Sequence, residues 1–417
     1  MSWVSLICFG ACLGISLSWF RRGADLLSPA RLFGFIWSLA IGLADLKFSA
    51  LQHEWTAESW LLLLAGIGAF LVGTFIAYVL NLEKELVSIP AMRKLLRKEE
   101  LHEGRLFWLI CLSFVVYGAS YLANFLVRGW LPVDVIGTSI SRVDFNVSGL
   151  TLFLYTATFI IFLIFLYFIL VPSNKVRKAI LIVMSLVAVG SFFLLLMRYP
   201  IILATMMCFT VLYYATNRIR LRTAVPLFVA VTAFFYWISS LRLSHVVSTY
   251  LYSVSKMRFS KDYAILTEPY MYVVANLENF ARSVKVSDYH TYGYFTFDFI
   301  TAITGLKYWV IDYFGFERTP YLTSNYNTYT AFWWFYSDFG VIGLALIPLV
   351  LGLSIGMLYY RMRTKPSVKN VTAYSIMVFV MFISYFNFPF AFLWFQYLML
   401  ALYFFLRWTL VSRKAHI

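Results

Sequence analysis

TLFLYTATFIIFLIFLYFIL (151–170), VPSNKVRK (171–178) and AILIVMSLVAVGSFFLLLM (179–197) follow one another in this chain. Two apolar runs of about 20 residues flank a short basic break, and about 20 residues of helix cross a bilayer's hydrocarbon. Backbone groups inside lipid must be satisfied within their own segment, so such runs read as helices. Cytoplasmic loops of membrane proteins are enriched in Lys and Arg, so the break at Lys175, Arg177 and Lys178 reads as cytoplasmic.

Working outward, the same alternation recurs along the whole chain. Basic clusters stand at Arg21/Arg22/Arg31, Lys84–Arg105, Arg218/Arg220/Arg222, Arg361/Arg363/Lys365/Lys369 and Arg407/Arg413/Lys414. They fall at every second gap between apolar runs. The predicted fold is all-α and polytopic, with about eleven spans at roughly 2–20, 32–47, 58–80, 106–126, 151–171, 179–197, 201–217, 223–241, 339–360, 371–388 and 390–410. The N-terminus is then outside and the C-terminus cytoplasmic. Period-2 alternation is absent, which argues against a transmembrane barrel. Residues 1–417 read as a single integral membrane domain with one large extracytoplasmic loop, 242–330. Within that loop the apolar pieces Tyr270–Phe280 and Tyr294–Ile303 are expected to be short interfacial or re-entrant helices.

Composition agrees. Hydrophobic residues make up 62% and charged residues 13% of the chain, against about a quarter charged in a soluble domain. The net charge of +15 sits in small clusters at helix ends, so it marks topology and lipid headgroup contact and no nucleic-acid surface. Cys8, Cys12, Cys111 and Cys208 all fall in apolar runs, so no disulfide framework or metal cage is expected. Met1 to Phe20 lacks a basic n-region, and its arginines follow the apolar run, unlike a signal peptide. The loop 81–105 mixes acids and bases after Pro90 and predicts a short amphipathic helix. Gly352 and Gly356 have the spacing of close helix packing.

Cations on the outside break the orientation rule, so each invites a reason. Arg198 precedes Tyr199-Pro200 between two spans. There it either contacts ordinary headgroups or grips a lipid-linked phosphate with its planar fork. Arg242 and His245 stand nearly one helical turn apart, and Arg258 and Arg318 lie in the same large loop. Arg282 follows Glu278 at the i,i+4 spacing of a surface ion pair. Acids are scarce. Asp298, Asp312 and Asp338 are the candidates in the last third, and Glu54 and Glu58 those of the first outside loop. Asp338 sits at the start of span nine, as either a helix-terminal carboxylate or a chemical group. Walker-type, GxGxxG, HExxH, GxSxG and DxD patterns are absent, so no nucleotide, metal or other cofactor is expected.

Residues 327–343 carry something more specific. Asn327-Thr328-Tyr329-Thr330 followed by Tyr336-x-Asp338-Phe339-Gly340-x-x-Gly343 resembles the bacterial oligosaccharide repeat-unit polymerases, the Wzy-type enzymes of O-antigen, capsule and exopolysaccharide assembly. Tyr292-Gly293-x-Phe295-Thr296 is similar too, as are Arg198 at a span end, Ser28-Pro29 before a Trp-bearing helix, and the spacing from Arg282 to Gly293. The resemblance implies transfer of a glycan from undecaprenyl diphosphate to the next lipid-linked unit, at the outer face of the bacterial inner membrane. It implies diphosphate contacts at Arg198, Arg242, Arg258, Arg282 and Arg318, with base work by Asp338 or His245. Asn327, Tyr329 and Tyr336 are expected to hold glycan. Partners would be the lipid-linked oligosaccharides, membrane lipids and a chain-length regulator. The rivals are an O-antigen ligase, a polyprenyl-phosphate-sugar glycosyltransferase, and a lipid-glycan flippase.

Overall fold

The computed structural model describes the chain except residues 1, 22, 98–100, 136–141, 172–173, 196–198, 217–244, 287–288, 316–322, 324–325, 327 and 411–417. The described residues are helical, with only isolated β-bridges besides. In chain order the α-helices are α1 (Trp3–Trp19), α2 (Pro29–Asp45), α3 (Ala57–Val79), α4 (Ile89–Arg97), α5 (Glu103–Arg128), α6 (Thr156–Leu170), α7 (Lys175–Leu194), α8 (Tyr199–Ala215), α9 (His245–Val254), α10 (Thr267–Val286), α11 (Asp298–Thr304), α12 (Lys307–Phe314), α13 (Ala331–Thr364), α14 (Val368–Ile383) and α15 (Leu393–Thr409). Four stretches, 57–79, 103–128, 150–170 and 331–364, are long and apolar enough to cross a membrane, and several shorter apolar helices accompany them. The chain is therefore a helical protein built for a membrane. Ten of the eleven predicted spans coincide with described helices; the one at 223–241 lies outside the described residues. All four cysteines are free.

The chain divides into two compact units. The first comprises residues 1–86, 243–364 and 380–393. Here α1 and α2 form a hairpin. The Ser2 hydroxyl caps α1 by accepting from the Val4 and Ser5 amides, and the Asp45 carboxylate at the end of α2 accepts from the Ser5 amide at 3.0 Å. Pro29 opens α2 at a position where its missing N–H costs nothing.

Helices α3 and α13 pack backbone to backbone. A Cβ on Gly73 would lie 2.1 Å from the Leu349 carbonyl oxygen, one on Gly352 2.1 Å from that of Phe70, and one on Gly356 2.5 Å from Cβ of Ala77. The spacing read as close packing therefore faces α3. The pairs Gly73–Leu349, Ala77–Gly356 and Asn81–Met357 advance together, so the two helices run parallel.

Span nine, expected from 339, begins at a break in a longer helical stretch. Helix α13 starts at Ala331 and is broken at Gly340, with φ 59° and ψ −142°, a conformation essentially restricted to glycine. Residues before the break form a separate short helix on the same chain segment.

One correction concerns Tyr270–Phe280. These residues are the middle of α10, a 20-residue helix with most of its residues buried in the unit and Tyr272 exposed. Asn276, Glu278, Asn279 and Ser283 are all at most 2% exposed. Asn276, Glu278 and Asn279 each find a partner on a neighbouring segment, while Ser283 donates back to the Phe280 carbonyl. The shorter α11 and α12 fit the interfacial reading. They are separated by Gly305 at φ 72°, and Ile303, Trp309 and Tyr313 are exposed.

The second unit comprises residues 87–242, 365–379 and 394–417. Its helix α4 is the amphipathic helix expected after Pro90. Met92 and Leu96 are buried, and Arg93 donates to the Tyr213 carbonyl at 3.1 and 3.3 Å. The buried Asn124 on α5 accepts from the Val147 amide and the Thr151 hydroxyl, both at 3.0 Å, drawing the 129–150 connection back onto its helix.

Candidate functional site

The polar groups of the first unit converge on the loop between α2 and α3. Its backbone is fixed from several sides. Gln52 Nε2 donates to the Ala44 carbonyl at 2.6 Å, the Ser49 hydroxyl donates to the Ser255 carbonyl, and Ser49 bridges Met257. The Tyr270 hydroxyl donates to Gln52 Oε1 at 2.8 Å and accepts from the Phe48 amide at 3.0 Å. Burial pushes that hydroxyl up to about 12, against its hydrogen bonds with Phe48 and Gln52, which lower it.

Below the loop lies Glu278 of α10, its side chain 2% exposed. Its Oε1 accepts from the His53 amide at 3.1 Å and from Arg282 Nε at 3.2 Å, and stands 2.8 Å from His53 Nδ1. Its Oε2 accepts from Trp55 Nε1 at 3.1 Å. Removing a charge from water is costly unless it is paired and hydrogen-bonded, and here both carboxylate oxygens are engaged. Arg282 also donates through Nη2 to the Leu51 carbonyl at 2.8 Å. Its Nη1 has no partner among the described residues, and its side chain is part-exposed. The i,i+4 pair with Glu278 therefore exists, but as the floor of a loop and not as a surface pair.

Asp338 is buried completely. Its carboxylate accepts from the Thr291 hydroxyl, from the Phe295 amide at 3.1 Å and from the Thr296 amide at 2.5 Å. The Thr291 and Tyr292 amides donate to the Ser337 and Asp338 carbonyls at 3.1 and 3.0 Å. Thus 291–296 folds over the end of the short helix that precedes Gly340. His290 occupies the space a side chain at 340 would need, with Nε2 2.7 Å from where that Cβ would stand. Both Asp338 oxygens are spent on the loop and neither reaches solvent. The role this geometry gives Asp338 is an anchor, and the expectation of a base there is set aside.

Of the expected glycan contacts, Tyr336 is 8% exposed beside Phe280 and His290. Tyr329 is 5% exposed and stacked on Trp333 with centroids 3.9 Å apart. Both pack within the unit and present little surface for a sugar. The 323–328 segment is held by α10, where Asn279 Nδ2 donates to the Thr328 carbonyl at 2.8 Å and Oδ1 accepts from the Thr323 amide at 2.6 Å. Arg258 is exposed, with Nη1 3.4 Å from the Lys47 carbonyl. Asp298 is paired with Lys307 at 2.7 Å, and Asp312 is exposed on α12. Glu54 is exposed and paired with Lys47; Glu58 is exposed in the first turn of α3. Arg198, Arg242, Arg318 and Asn327 lie outside the described residues, and His245 is described only as the first residue of α9. The sequence reading missed His53, Trp55 and Glu278 as a group. The one signal available was the Glu278–Arg282 spacing, which does not reveal a loop more than 200 residues away.

No family model matches this chain, and neither a curated protein nor a solved structure does.

Proposed function

We propose that this protein is a metal-independent polymerase of undecaprenyl-diphosphate-linked oligosaccharide repeat units. It works at the outer face of a bacterial inner membrane as a chain of about eleven spans. The observation that carries this reading is the joining of two separate motif stretches. Residues 292–296 and 336–343 each resemble the repeat-unit polymerases, and Asp338 ties one to the other. Phe280, between Glu278 and Arg282, packs on Tyr336 of the same motif, so the motif and the Arg282 cluster belong to one assembly. The parallel run of α3 and α13 agrees with both crossing from outside to inside.

In this reading the sugar–diphosphate bond supplies the driving force. Arg282, with Nη1 open, and the exposed Arg258 offer positive charge to the leaving diphosphate, where fixed donors aimed at developing charge are most effective. Arg198, Arg242 and Arg318 are proposed for the same work. The membrane supplies alignment of two lipid-borne substrates.

The test is a gel of surface glycan from a deletion strain. Single repeat units on the surface carrier lipid support the polymerase. Long polymer left on its carrier lipid identifies a ligase instead, and single units trapped inside the cell identify a flippase.

A further inference from the structure

The geometry points to His53 as the general base that deprotonates the attacking sugar hydroxyl, with Glu278 as the residue that positions it. The inference rests on the polymerase reading and deepens it by naming the acceptor end of that site.

The tautomer follows from the contacts. An unprotonated Nδ1 at 2.8 Å from a buried carboxylate oxygen would set two lone pairs against each other, so the proton belongs on Nδ1 and is donated to Glu278. Arg282 Nη2 also lies 2.9 Å from Nδ1, with one of its two hydrogens given to the Leu51 carbonyl; the nearer Glu278 oxygen, at 2.8 Å, decides the tautomer. The lone pair is then on Nε2. That nitrogen has no partner among the described residues, and the His53 side chain is 64% exposed. A carboxylate that fixes one imidazole nitrogen and leaves the other open is the arrangement by which an acid residue orients a histidine base.

Rigidity supports the assignment. The backbone is pinned at Leu51 by Arg282 and at His53 by Glu278, while the Trp55 indole is tied to the same carboxylate. The imidazole is therefore not a loosely held surface ring. Trp55 also packs on Trp60, with centroids 4.4 Å apart. This leaves a half-exposed indole pair next to the base, a platform of the kind that takes the apolar face of a sugar ring. The other charged groups of the region are Arg282 and Glu278 on α10, the Lys47–Glu54 pair in the loop, Glu58 in the first turn of α3, Arg258 at the Lys47 carbonyl, and Asp45 at the end of α2.

The step balances. Nε2 takes the proton of the acceptor sugar hydroxyl, and the hydroxyl oxygen bonds to the anomeric carbon of the donor glycan. The bond from that carbon to the diphosphate oxygen breaks, and its electron pair leaves with undecaprenyl diphosphate. The imidazolium then returns its proton to water.

The experiment uses full-length purified protein and, as probe, undecaprenyl-diphosphate repeat units extracted from the deletion strain. His53→Ala should lower kcat by about 10²–10⁴-fold, the usual contribution of general base catalysis, with KM little changed. The acid limb of the wild-type pH–rate profile should vanish with it. Added imidazole should restore part of the rate, which a purely structural histidine does not permit. Glu278→Gln should give a smaller loss and shift the acid limb without removing it. If the wild type polymerises and His53→Ala keeps its rate and its acid limb, the base assignment falls and the polymerase reading stands. If the wild type makes no polymer from the probe, the polymerase reading falls and takes the base with it.

Discussion

Two carboxylate–arginine assemblies in the first unit make different use of the same chemistry. Near the end of α13, Arg363 Nη1 lies 2.8 Å from Asp25 Oδ2, and the Tyr359 hydroxyl donates to the same oxygen at 2.9 Å. All three residues are buried, so the group is closed to solvent. Around Glu278 the carboxylate is equally buried, but its partners reach the surface. Arg282 is part-exposed and His53 mostly exposed. A closed pair fixes the α1–α2 connection to α13 and offers nothing to a ligand. An open one converts a buried charge into the orientation of an exposed imidazole. The contrast separates a structural ion pair from a candidate for chemistry, although in sequence both are an acid and an arginine.

The sharpest way to break that contrast is Arg363→Leu. It leaves the buried Asp25 carboxylate without the Arg363 charge, and losing one partner of a buried pair costs about 3–5 kcal/mol. Thermal unfolding of the detergent-purified protein should show the loss. Asp25→Leu combined with Arg363→Leu should recover much of it, because replacing both partners is often close to neutral. Wild-type stability in the single variant would show that the pair is not closed. Arg282→Ala comes next. Glu278 keeps its bonds to His53 and Trp55 and lies close to solvent through them, so the cost should be about 1–3 kcal/mol. A loss as large as that of Arg363→Leu would erase the distinction between the two groups.

The smallest effect belongs to Tyr270→Phe, which removes the hydroxyl bracing Gln52 and Phe48 at about 0.5–1.5 kcal/mol. Its pH dependence has a definite sign. Burial raises the Tyr270 pKa from 10.0 to about 12, so its neutral form is favoured in the folded state. That stability is fully present below pH 10 and is lost as pH rises towards 12. Wild type and Tyr270→Phe should therefore converge in melting temperature across that window. Parallel curves would remove Tyr270 from the brace under the loop.

The helices were legible because apolar length is a local property. Residues 58–80 were expected as a span and α3 covers Ala57–Val79; the Gly352/Gly356 spacing was read as close packing and meets α3. Span nine was placed from 339, beside the break at Gly340, but the short helix that precedes the break from Ala331 was not read as helical. The burial of α10 was hidden as well. Glu278 and Arg282 read as a surface ion pair, and only partners supplied by the loop between α2 and α3 bury the carboxylate. A polar residue's environment is set by what closes over it, and no local window contains that. The orienting carboxylate of the candidate site was invisible on the same ground. Asp338 was noticed as a rare acid, but its use as a clasp depends on the turn at 291–296.

The parallel contact of α3 with α13 has a consequence for how the protein is made. Residues 80–330 separate the two helices, so α3 leaves the ribosome long before its partner exists. Until then its Gly73 groove lacks the backbone that fills it, and a parallel partner cannot be supplied by the next helix in line, as a hairpin's can. Formation of the early helices and assembly of the first unit are therefore distinct events, and a chain truncated before Ala331 leaves the groove on α3 unfilled.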